Sequence, residues 1–95
     1  MKKMKEFILR EVADEYILIP TGKTTEEFNG IISLTETAAF IYNHIEEADS
    51  FEALINMITS EYNVDKEPAA KDAYVFINHM ISTGLVDLTD REKNW

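Results

Sequence analysis

The stretch from Asn29 to Ile45 changes periodicity in its middle, and that change limits what the chain can fold into. Asn29-Gly30-Ile31-Ile32-Ser33-Leu34 reads as a strand. Thr35 then offers a hydroxyl at an N-cap position. After it Ala38, Ile41, Tyr42 and Ile45 recur at i, i+3, i+4 and i+7, which is one apolar face of a helix. Two more strand-like runs precede this stretch, and only helical patterns follow it. A small sheet is therefore built first and helices are laid on it afterwards. With 95 residues the chain holds one domain with a modest core, of the α+β class.

Phe7–Val12 is the first strand candidate, and Ala13-Asp14-Glu15 forms a tight turn. Tyr16–Ile19 is apolar on both faces, as a central strand should be, and Pro20 suits its end. Thr21–Glu27 is polar and reads as a loop, and the third strand covers about Phe28 to Leu34. Short connections predict an antiparallel meander with the second strand in the middle. Three helices follow. The first starts after Thr35. The second is capped by Asp49 or Ser50 and has an apolar face of Phe51, Leu54, Ile55, Ile58 and Tyr62. The third begins between Asp65 and Pro68 and runs to Thr83, with Gly84 at the residue beyond its end. Leu85 and Val86 are expected to fold back on the core. Residues 1–86 make the domain, and Asp87–Trp95 reads as a loose tail. In the third helix, Ala69, Ala70, Ala73, Tyr74, Phe76, Ile77, Met80 and Ile81 spread over about 160° at ~100° per residue. One packing contact does not require such width, so the extra flank either packs under the sheet or remains available.

Composition removes several classes of function. Acids outnumber bases 18 to 9, a net charge of −9, which opposes binding to nucleic acid or to anionic membranes. There is no cysteine, so disulfides and thiolate metal sites are excluded, and a cytoplasmic location is expected. The apolar run Phe7-Ile8-Leu9 is too short for a signal peptide or a membrane span. His44 and His79 lie on different helices, and neither has a His or a carboxylate four residues on, so no metal face is expected. Ser33, Ser50, Ser60 and Ser82 lack a nucleophile-elbow setting. Thr21-Gly22-Lys23-Thr24 lacks the upstream glycine and the following helix of a phosphate loop. The chain reads as a protein that is not an enzyme.

The third strand carries the functional signal. Edge strands are usually guarded by charge, proline or bulges, and Asn29–Leu34 has no charge and no proline. At the edge of the meander it is a template for an added strand, as in peptide recognition by strand addition. The competing readings are that the tail or a second copy covers this edge, that the chain is a structural subunit of a larger enzyme, or that it is a winged-helix DNA-binding protein. Against the last, Lys66 and Lys71 are offset by Glu67 and Asp72.

The order of these residues resembles the PqqD family of peptide chaperones. Gly30-Ile31-Ile32-Ser33-Leu34-Thr35-Glu36-Thr37-Ala38 followed by Ile41-Tyr42 resembles its "G-x-x-x-L-N-x-x-A-x-x-I-W" stretch. Asp72-Ala73 with Phe76-Ile77 and Met80 is similar to its third-helix pattern, Gly84-Leu85-Val86 to its closing "G-L-V", and Pro20-x-Gly22 to the end of its second strand. Thr35 stands for the usual Asn, Tyr42 for Trp, and Asp14-Glu15 occupies a turn that often carries glycine. The resemblance spans Phe7 to Val86 and implies a winged-helix-like domain that recognises the leader of a ribosomally made precursor peptide. It implies docking of that leader on the third strand beside the third helix, a domain that itself performs no chemistry and needs no cofactor, and a partner enzyme, often a radical S-adenosylmethionine enzyme, that modifies the peptide. The residues expected to bind it are Gly30, Ile31, Ile32 and Ser33 through their backbone, and Asp72, Ala73, Phe76, His79 and Met80 through their side chains. The quinone pathway itself is not implied, because many peptide-modifying systems share the domain.

Overall fold

The computed structural model describes residues 1–28 and 30–88. The chain runs β1 (Lys2–Lys3), β2 (Phe7–Val12), β3 (Glu15–Pro20), α1 (Thr24–Glu27), β4 (Ile32–Leu34), α2 (Glu36–His44), α3 (Phe51–Glu61), α4 (Lys66–Ser82) and β5 (Val86–Asp87). As expected, β2, β3 and β4 form an antiparallel meander with β3 in the middle. Only Ala13 and Asp14 separate β2 from β3, and both have positive φ, 50° and 67°. That is the requirement of a two-residue type I′ hairpin, whose twist suits the flanking strands.

Alternation sorts the strand side chains. Phe7, Leu9, Leu18, Ile32 and Leu34 face the helices and join the core, whereas Ile8, Arg10 and Val12 are exposed. Ile41 from α2, Ile45 at its C-cap, Leu54, Ile55 and Ile58 from α3, and Ala73, Ile77 and Met80 from α4 complete the core. The caps are where hydroxyls allow them. Thr35 Oγ1 accepts from the Ala38 N–H at 3.1 Å, and Ser50 Oγ, rather than Asp49, accepts from Ala53 at 3.0 Å. The end of α4 is a Schellman motif: Gly84 (φ 81°) donates to Ile81 and Leu85 donates to Met80. This turns Leu85 and Val86 back into the core, where both are buried.

Three expectations are corrected. The segment Thr21–Glu27 is not only a loop, because α1 forms within it. Thr24 is buried there, and its Oγ1 accepts from the Glu6 N–H at 2.8 Å. The third strand does not run from Phe28. Gly30 has φ +99°, outside the extended range, so the ladder begins only at Ile32. Lastly, the sequence showed no second sheet, yet β1 pairs antiparallel with β5, Lys2 opposite Asp87 and Lys3 opposite Val86. The expected tail therefore starts inside a strand, and from residue 89 it lies outside the described residues.

A cleft between the sheet edge and the last helix

Backbone parity decides what the edge of β4 offers. In a two-residue hairpin the flanking pair, Val12 and Glu15, exchanges both hydrogen bonds. Bonded and non-bonded pairs then alternate, so Ile17 turns its peptide groups toward β2, and Tyr16 and Leu18 turn theirs toward β4. Leu34 lies opposite Tyr16 and Ile32 opposite Leu18, so these two residues of β4 are tied inward. The Ser33 N–H and C=O, the Ile31 C=O and the Thr35 N–H consequently point away from the sheet. No described residue forms a strand along that side of β4.

Beside this edge lies a cleft of about 580 Å³. Ile32, Ser33 and Leu34 form one wall, and Asp72, Phe76, His79, Met80 and Thr83 of α4 form the other. Leu18, Ala38, Ile41 and Leu85 are its floor, Phe28 lies at one end, and Thr35 and Thr37 line the start of α2. The α4 residues follow the spacing i, i+4, i+7, i+8, i+11, a single stripe down the helix. Apolar groups dominate the lining. Asp72 is the only carboxylate among the described residues that line it, and it makes no ion pair with a described residue.

Six of the nine residues singled out from sequence meet here: Ile32, Ser33, Asp72, Phe76, His79 and Met80. The other three do not line the cleft. Ala73 is 0% exposed, inside the core on the next flank of the helix. Gly30 is exposed in the bend before β4, and Ile31 is 57% exposed outside the cleft. Sequence reasoning did not find Leu18, Phe28, Leu34, Thr35, Thr37, Ala38, Ile41, Thr83 or Leu85 as lining. Their apolar members read equally well as core, and only the extension of the Asp72–His79 stripe by one turn pointed to Thr83.

A shallower depression adjoins the cleft and shares Leu34 and Thr35 with it. Its other lining is Glu11, Asp14, Glu15, Tyr16 and Glu36. Desolvation raises the Tyr16 phenol above its ordinary value, and the nearby carboxylates of Glu11 and Glu36 push it the same way. Among the described residues no group of three or more His, Asp or Glu is arranged to hold a metal ion. No described helix is long and apolar enough to cross a membrane.

Comparison with known proteins agrees with this architecture. A solved structure described as "TbiB1 in Complex with the TbiA(beta) Leader Peptide" is similar over 95% of this chain and 100% of that one, with a TM-score of 0.67 and 21% identity. Among curated proteins, none matches the chain significantly. The family model of coenzyme PQQ synthesis protein D matches residues 15–86, which take in β3, β4, the four helices and the first residue of β5. The chain belongs to the PqqD family.

Proposed function

We propose that this chain binds the leader segment of a ribosomally made precursor peptide by adding it as a fourth strand to β4, and presents that peptide to a modifying enzyme. The observation that carries the reading is the juxtaposition of outward peptide groups at Ile31, Ser33 and Thr35 with an apolar cleft along the same edge. Family membership supports it, and so does the similar fold of a protein solved with a leader peptide. A peptide residue beside Ser33 shares its outer face, so its two neighbours turn toward the helices and enter the cleft. A few backbone hydrogen bonds at ~1 kcal/mol net each and two buried anchors at roughly 1.5–3 kcal/mol each are offset by ordering the peptide. The remainder is of order −7 to −9 kcal/mol, which is near-micromolar affinity.

In this reading the domain, residues 1–86, is a cytoplasmic adaptor without chemistry of its own, and its enzyme partner is of the radical S-adenosylmethionine class. DNA binding is disfavoured, since α4 mixes Lys66 and Lys71 with Glu67 and Asp72 in a chain of net charge −9. The test is a selection of ten-residue peptides from a random display library on the immobilised chain, followed by amide NMR with a selected peptide. The Ser33 and Thr35 amides are expected to shift most, together with those of Phe76 and Met80. Shifts confined to β2 or to the far side of α4 would contradict the proposal.

A further inference from the structure

We infer that the cleft is polarised by charge and selects a strand with two apolar residues two positions apart and a Lys or Arg on one side only, the side that leaves past Leu34. The inference rests on the strand-addition reading above. Two features of the molecule carry it. Among the described residues that line the cleft, Asp72 is the one carboxylate, and it pairs with no described residue. Next to the Leu34 and Thr35 end of the cleft lies the depression lined by Glu11, Asp14, Glu15 and Glu36, with no Lys or Arg among its described lining residues.

Both features fall at the same end. The C-terminal end of α4 is tied to the N-terminal segment, because the Met4 N–H donates to the Leu85 carbonyl at 2.8 Å. That segment leads into Phe7, which faces Pro20, beyond the Ile32 end of β4. Asp72 precedes Thr83 by eleven residues, about 16 Å back along the helix axis, and so stands toward the Leu34 end. At the opposite end the charges are mixed: Lys5 pairs with Glu27, and Glu6, Lys23 and Glu26 stand beside them in the chain. A cation on the peptide thus meets carboxylates at one end and charges of both signs at the other.

The probes are peptides from the random library, and then synthetic versions of the best one with Lys, Ala or Glu at the selected flanking position. The enriched sequences are expected to show apolar-x-apolar with Lys or Arg on a single side. The parent should prefer the Lys version over the Glu version by about threefold to tenfold at low salt, less at high salt. Asp72→Lys should bring this ratio to one or invert it, and Glu36→Gln should lower it. Circular dichroism confirms that each variant is folded. A ratio near one in the parent, or a ratio unchanged in both variants, overturns charge selection and leaves strand addition standing. Failure of the parent to enrich any peptide overturns strand addition itself and the inference with it.

Discussion

Leu18 and Ile32 face each other across the β3–β4 ladder, and alternation from the β2–β3 hairpin makes them a hydrogen-bonded pair. Leu18 is completely buried, so the peptide groups of this pair have no water to fall back on. Ile32→Pro removes the inward donor and leaves the Leu18 carbonyl unpaired, at a cost of about 1–3 kcal/mol. Chemical denaturation should show a lower midpoint. An unchanged midpoint would mean that the parity assigned to β4 is wrong.

The hairpin carries strain that a better residue would relieve. Ala13 sits at φ 50°, where a residue with a Cβ is uncommon, and Asn tolerates this region better. Ala13→Asn should stabilise the chain by roughly 0.5–1 kcal/mol, a rise of about 3–6 °C in Tm for a domain of this size. A thermal melt checks it.

Thr35 caps α2 through the Ala38 N–H. Thr35→Ala should cost about 1 kcal/mol, whereas Thr35→Asn keeps an acceptor and should stay within roughly 0.5 kcal/mol of the parent. Comparing their denaturation midpoints tests the cap.

Tyr42 is buried, with the Lys3 ammonium 4.4 Å from its ring centre. Desolvation raises its phenol above the ordinary value, and the Glu46 carboxylate adds to the shift. A raised folded value means that the unfolded chain loses this proton first. The stability tied to it is therefore complete below about pH 10, the ordinary value, and is lost as pH rises toward the raised folded value. Thermal melts between pH 8 and 11 should show Tm falling above pH 10, with a shallower fall for Tyr42→Phe. Identical slopes would locate the alkaline sensitivity elsewhere, for example at Tyr16 or Tyr62, whose values are also raised.

The elements that could be read in the sequence were those with their own local punctuation. Ala13-Asp14-Glu15 marked a turn, of which Glu15 already belongs to β3, Thr35 and Asp49 or Ser50 offered caps, Gly84 ended the last helix, and apolar spacing separated strands from helices. The parts that could not be read depend on distant partners. β1 looks like a charged terminus, yet the Lys3 N–H donates to Glu46, and Met1 is buried beside the core. α1 is a single turn with no apolar period, and Thr24 is buried only because Glu6 comes to meet it. The site was half legible for the same reason. An unguarded edge and a wide apolar arc are visible in one sequence. Which flank of the arc faces the edge depends on how α4 crosses the sheet, and that crossing buries Ala73 while opening Phe76 and His79 to the cleft.

Ser33→Pro tests the central claim most directly. It removes the outward N–H in the middle of β4, at an edge position where proline does not break the ladder with β3. The measurement is the affinity of a selected peptide for this variant, with thermal melts of the same samples. The expected result is a folded protein within about 1 kcal/mol of the parent that binds at least ~5-fold more weakly, the loss of one hydrogen bond at ~1 kcal/mol. A Ser33→Pro protein that melts like the parent and binds the peptide with the parent's affinity would contradict strand addition to β4.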